Sequence, residues 1–334
     1  LKTDMQRYFL IFSIIFLSYL LLINYNPPQV ETSSNGISND SEYSQSMDYD
    51  EFVSREDIAS EELIIVDNTC STDDLFSFSN KNWKAKINLE SGKISYAELT
   101  KFPKTSKSDV NKMLFNDCGP ERYSQTSGFA FLDKSLNQDA LFNLSENYKD
   151  GINEVYVFEK KIENLLIKKI ISFGPDDYYL KIRDSIQNLN LNEIKLAPFS
   201  KIDRSSEIVE AKGSGFTDPS SFAYLGPAFR TSEENYLKIS FNDISEKEFK
   251  QISNDGWAAM LQHYFLTAVI PDEDEDFVFQ AKQKNNGDYS IGIVGLTKSL
   301  KIDESAIFNH KIYFGPKIQS ELTKAHSQLY LAVD

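Results

Sequence analysis

Three histidines, His263, His310 and His326, are the side chains of this sequence suited to moving protons near neutral pH. A histidine acid facing a carboxylate base across a cleft could interconvert the anomers of an aldose. His326 falls in a stretch with helical spacing and His310 next to a strand, so neither reads as a cleft residue. With 50 aspartates and glutamates in the chain, a carboxylate near a histidine carries little information. Asp272-Glu273-Asp274-Glu275-Asp276 is a run of acids without the spaced ligands and turn glycine of a calcium loop, and reads as solvated. Gly213-Ser214-Gly215 lacks the strand–helix setting and further glycines of a phosphate-binding loop and reads as a turn. No G-x-S-x-G string occurs. Cys70 and Cys118 are too far apart for a metal-site signature. An exported domain would permit them to bond, closing a loop of about 50 residues worth ~4 kcal/mol in the chain-entropy model. Two free thiols fit the sequence as well. The expectation is therefore no enzyme, and no catalytic, cofactor-binding or metal site.

The strongest element signal stands at the start. Tyr8 to Tyr25 is uncharged and apolar, and as a helix would be roughly 27 Å long, near the thickness of a bilayer's hydrocarbon core. It ends Ile23-Asn24-Tyr25-Asn26-Pro27-Pro28 with no small-residue cleavage pattern, so it reads as a retained anchor (residues 1–26). Lys2 and Arg7 precede the span, and six acids follow it before Arg55, which predicts a cytoplasmic N-terminus and an exported remainder. Residues 27–72, dense in Ser, Asn, Asp and Glu, read as a flexible acidic linker, with Leu63–Val66 as an optional short strand. The net charge of −15, with no basic stripe, argues against nucleic acid as a partner. The chain opens on Leu1 and closes on the apolar Leu329–Asp334, which suggests a piece of a longer protein.

From Leu75 the pattern turns to strands. Trp83, Ala85, Ile87 and Leu89 alternate with polar residues, Ser91-Gly92 makes a turn, and Ile94 and Tyr96 resume the alternation. Val155–Phe158 and Leu165–Ile167 flank a Glu163-Asn164 turn. Period two also holds in Tyr178, Leu180, Ile182 and Ile186, and in Leu237, Ile239 and Phe241. Residues 277–281, 289–294 and 311–314 complete the series, and 260–267 read as one strand with a mostly apolar face. There, Trp257, Leu261 and Phe265 pack a core with His263 as a satisfied polar neighbour. The functional reading of the same residues is a surface that meets a partner in the membrane. Successive strands without intervening helices predict a mainly β, antiparallel sandwich over residues 73–316. After Gly315-Pro316, the spacing of Ile318, Leu322, Ala325 and Leu329 predicts a C-terminal helix over 317–334, with Pro316 at its start.

Several strings together resemble the YidC-type membrane protein insertases of Gram-negative bacteria. They are Met5-Gln6-Arg7 before the span, the run Tyr224–Phe229, the sixteen residues Gly256–Pro271, Tyr313-Phe314-Gly315-Pro316-Lys317 and the closing Leu329–Asp334. Gly256–Pro271 is the specific one, and Lys101–Asp150 and the acidic linker match least. The resemblance implies a periplasmic β-supersandwich, galactose mutarotase-like in shape, lying before a second membrane span. It implies an insertase core outside this chain, a hydrophilic groove that lowers the desolvation cost of passing polar groups through hydrocarbon. Its implied partners are the bilayer, nascent inner-membrane proteins, and the Sec translocon with its SecD/SecF subunits. The alternative is a membrane-anchored carbohydrate-binding or aldose-epimerase-like domain.

Overall fold

A computed structural model describes residues 74–333, apart from 105–107, 133–139, 191, 207–223 and 273–274. The expected span, the linker with its optional strand, and the turn at Gly213–Gly215 lie outside the described residues. No helix among the described residues is long and apolar enough to cross a membrane.

Strands β1 (Leu75–Ser79), β2 (Trp83–Asn88), β3 (Ile94–Pro103), β4 (Asn111–Asn116) and β5 (Tyr123–Phe131) follow one another as an antiparallel meander. A second meander comprises β6 (Asn143–Asp150), β7 (Asn153–Ile162), β8 (Leu165–Phe173) and β9 (Tyr179–Asn188). β10 (Ile194–Arg204) then returns to pair with β5. Next come β11 (Gly226–Arg230), β12 (Leu237–Lys238), α1 (Phe241–Glu246), β13 (Phe249–Ser253), β14 (Trp257–Leu261) and β15 (Phe265–Pro271). The chain finishes with β16 (Phe277–Gln283), β17 (Tyr289–Gly295), β18 (Lys298–Leu300), β19 (Ser305–Pro316), α2 (Gln319–Ala325) and a 3-10 helix (Leu329–Ala332). The first sheet has the order β1-β2-β3-β4-β5-β10-β17-β16-β13, with β18 also on β10; the second has β12-β11-β14-β15-β19-β9-β8-β7-β6. This is the antiparallel sandwich that the alternating patterns predict, in the supersandwich form that the resemblance implies.

Aromatic rings join the sheets. Phe78 stacks on Phe173 at 5.8 Å, Phe314 meets Trp83 at 5.2 Å and Phe115 at 5.7 Å, and Phe277 meets Phe308 at 5.8 Å. Each pair takes one ring from each sheet, so the inward faces interdigitate into one core.

Local chemistry explains where the sequence pattern holds and where it slips. β2 buries Trp83, Ala85 and Ile87, as its alternation requires. On β3, Ile94 is buried, but the register shifts between Lys86 and Ile87, leaving Ser95 as an extra residue. That bulge turns Tyr96 outward and puts Ala97 and Leu99 in the core. Leu237, Ile239 and Phe241 do not form one strand. Ser240 caps α1: its hydroxyl accepts from the Asp243 N–H at 3.1 Å, while the Asp243 carboxylate accepts from the Ser240 N–H at 3.2 Å. The reciprocal box ends β12 after two residues. Nor are residues 260–267 one strand. The Gln262 N–H donates to the Phe265 carbonyl at 2.8 Å, so the chain reverses at His263-Tyr264 and pairs β14 with β15.

The C-terminal segment is two short helices. Pro316 closes β19, and Ile318 is the exposed N-cap of α2, while Leu322, Ala325 and Leu329 are buried. His326 takes an extended conformation and breaks the helix.

Candidate functional site

Three of the strings that resemble an insertase are far apart in sequence, yet they converge in space. Tyr224–Phe229 includes most of β11, Gly256–Pro271 is the β14–β15 hairpin, and Tyr313–Lys317 ends β19. These strands are consecutive neighbours in the second sheet, β11-β14-β15-β19.

Both faces of this quarter of the sheet are covered. β14 is buried at all five residues. Phe229 reaches the first sheet through Phe249, ring centroids 4.5 Å apart. On the opposite face the Trp257 indole N–H donates to the Gln328 carbonyl at 3.4 Å. Leu322, Ala325, Leu329 and Ala332 are buried, and with Gln328 bonded to the Trp257 indole the terminal helices form a lid over this part of the sheet. Trp257 and Leu261 are fully buried and Phe265 half-buried, as expected of a core.

The lid is pinned at its edges. The Lys317 N–H donates to the Tyr264 carbonyl at 2.8 Å, and the Tyr313 hydroxyl donates to the Pro316 carbonyl at 2.6 Å. The Gln328 N–H donates to His326 Nδ1 at 3.2 Å, which leaves Nε2 to carry the proton toward Asp255 Oδ1, 3.6 Å away. Burial holds His326 below the usual imidazole range, against the pull of Asp255. Asp255 also pairs with Arg230 at the end of β11. Gly256, with φ of 141°, lets the chain pass that point: a Cβ there would stand 1.9 Å from the Arg230 carbonyl oxygen.

The other histidines differ from expectation. His263 occupies the hairpin turn, packed edge-on against the exposed Tyr264, and its Nδ1 has no hydrogen-bond partner among the described residues; it is not the satisfied neighbour of a core. His310 is not beside a strand but within β19 and fully buried. It stacks on Phe308 at 4.5 Å, and burial drives its pKa down to about 3. Its Nδ1 is 3.9 Å from Asp184 Oδ2, outside hydrogen-bond reach.

Asp184 belongs to a polar cluster hidden between the sheets. The Lys169 ammonium donates to Asp184 Oδ1 at 2.5 Å, to Ser127 Oγ at 2.7 Å and to the Ser127 carbonyl at 3.1 Å. Ser127 Oγ in turn donates to Asp184 Oδ2 at 2.8 Å. All three ammonium protons are used, and Lys169 and Asp184 are each 2% exposed. Lys160 points toward the same interior; burial, and secondarily Lys169, lower its pKa to about 8. Asp184 shares the inward face of Leu180, Ile182 and Ile186 on β9 and stands opposite Lys169 in the β8–β9 register, while Ser127 comes from the facing sheet. This cluster is a charge pair in a closed core, not a histidine and carboxylate facing a sugar.

The acidic run lies at the end of β15. Asp272 pairs with Lys311 at 2.9 Å and Glu275 with Lys298, while residues 273–274 lie outside the described residues. Among the described residues no group of His, Cys, Asp and Glu could hold a metal ion. Cys118 is disulfide-bonded; Cys70, the chain's other cysteine, lies outside the described residues.

Residues 76–334 match the YidC periplasmic domain. The membrane protein insertase YidC of Pseudoalteromonas atlantica is 28% identical over 269 residues, which cover 78% of this chain and 48% of that protein. That of Mannheimia succiniciproducens is 25% identical across 99% of this chain and 60% of its own length. The chain thus spans about half the length of the curated relatives it matches. Among solved structures it is similar to a galactose mutarotase-like protein from Lactobacillus casei, with a TM-score of 0.45 and 9% identity, covering 72% of this chain and 100% of that one. The match runs from β1 through the terminal lid, and on that ground the chain belongs to the YidC periplasmic domain family.

Proposed function

We propose that this chain is the N-terminal part of a membrane protein insertase and chaperone, which helps to insert, fold and assemble inner-membrane proteins, alone or with the Sec translocon. The observation that carries the reading is the family match over residues 76–334. The uncharged run Tyr8–Tyr25 anchors the chain with its N-terminus in the cytoplasm, residues 27–72 tether it, and the sandwich stands in the periplasm. The sandwich is accessory and makes no covalent chemistry. It docks the translocon or its SecD/SecF subunits, and the lid fixes the direction in which the polypeptide approaches the membrane. Clients are nascent inner-membrane proteins.

Two measurements test this. Protease added to spheroplasts degrades the sandwich; full protection would place it on the wrong side. In cells depleted of their own insertase, the whole protein lacking residues 76–316 still inserts client proteins but no longer co-purifies with the translocon. Loss of all insertion would refute an accessory role, and unchanged co-purification would refute docking.

A further inference from the structure

Among the described residues β1, β13, β12 and β6 end the two sheet paths, and three of them are guarded. β12 has two residues. β6 carries Glu146, Lys149 and Asp150 and a bulge at Ser145. β13 carries Lys250, and its Gln251 is hydrogen-bonded to Thr231 and Glu233. β1, Leu75-Phe76-Ser77-Phe78-Ser79, has no charge, no proline and no break in its register with β2. Such an edge is a template for another strand.

The register says which groups are open. Asn80 N–H donates to Trp83 O, and Leu89 N–H donates to Asp74 O. These bonds fix residues 74, 76, 78 and 80 as the ones bonded to β2, so Leu75, Ser77 and Ser79 point their N–H and C=O groups outward. The side chains of Ser77 and Ser79 line a shallow depression of about 220 Å³ on the outer face, with Lys84, Lys86, Tyr96 and Glu98. Tyr96 donates to Glu98 at 2.5 Å; burial, then that bond, raise the phenol to about 12, and the same bond holds Glu98 below its usual range. Glu98 is also 3.4 Å from Lys84. Lys86 lies 5.3 Å from the Tyr96 ring centroid and has no carboxylate partner among the described residues.

We propose that β1 accepts an extended polypeptide segment as an added antiparallel strand, with an acidic side chain of that segment seated against Lys86. A second copy of this chain fits less well, because its own β1 would bring no carboxylate to the depression. The proposal stands on the edge geometry and not on the insertase reading.

The test uses the full chain and two synthetic peptides, Thr-Val-Thr-Val-Glu-Val-Thr-Val-Thr and its Lys-centred counterpart. Residue-resolved amide exchange should slow at Leu75, Ser77 and Ser79 on adding the Glu peptide, with Phe76 and Phe78 unchanged. Ser77→Pro should abolish binding without disturbing the β1–β2 ladder, because the Ser77 N–H faces away from β2. Lys86→Glu should weaken the Glu peptide about fivefold and favour the Lys peptide by a similar factor. Equal binding to Ser77→Pro, protection elsewhere, protection of the three amides before peptide is added, or concentration-dependent self-association through β1 would each overturn the proposal.

Discussion

Replacing Asp184 by alanine isolates the ion pair that the core hides. In the native protein the Lys169 ammonium spends its three protons on Asp184 and on two oxygens of Ser127, all out of contact with water. Asp184→Ala leaves that ammonium with two neutral acceptors and no counter-charge. Breaking a buried pair on one side costs about 3–5 kcal/mol. For a domain of this size each kcal/mol lowers the melting temperature by roughly 2–4 °C, so a fall of ~8–16 °C follows for a loss near 4 kcal/mol. Far-UV circular dichroism during heating, paired with urea unfolding at constant m-value, measures it. The triple variant Lys169→Met, Asp184→Leu, Ser127→Ala removes every member of the cluster and should lie within about 1 kcal/mol of the native protein, or above it. If Asp184→Ala costs less than ~1 kcal/mol, or the triple variant is as damaged as the single one, the pair is not the closed unit described here.

Trp257→Ala removes the fully buried indole under the lid and should cost about 3–5 kcal/mol, with earlier proteolytic cleavage after Pro316; an unchanged cleavage pattern would separate the lid from Trp257. Gly256→Ala should destabilise by at least ~2 kcal/mol in urea unfolding, because its Cβ would overlap the Arg230 carbonyl. His310 has a folded pKa of about 3, below its unfolded value, so the unfolded chain binds the extra proton. Stability should therefore fall as pH drops from about 6.5 toward 3, by on the order of 1 kcal/mol per unit, and His310→Phe should flatten that part of the profile relative to the native protein.

Much of the architecture was readable from local order alone. A period of two marks a strand whatever its partner, so β2 and β9 were visible in the chain, and short apolar runs between turns marked β7, β8, β16, β17 and β19. The same rule misled where one local event outranked it. A single extra residue at Ser95 turned Tyr96 outward, the Ser240–Asp243 box replaced strand by helix at Phe241, and a two-residue reversal at His263-Tyr264 cut one apolar run into a hairpin. The family strings were legible, but not that β11, β14, β15 and β19 would lie side by side under a lid. The hidden cluster was least legible of all. Lys169, Asp184 and Ser127 come from three strands, and a polar residue on an apolar face looks alike in sequence whether it finds a partner or not. Periodicity is a property of neighbours along the chain, while charge compensation is a property of neighbours in space. The sequence by itself therefore determined many of the strands and the faces they bury; the tertiary structure decided that β8 pairs with β9 in the register that sets Lys169 opposite Asp184, and that the facing sheet brings Ser127 to them.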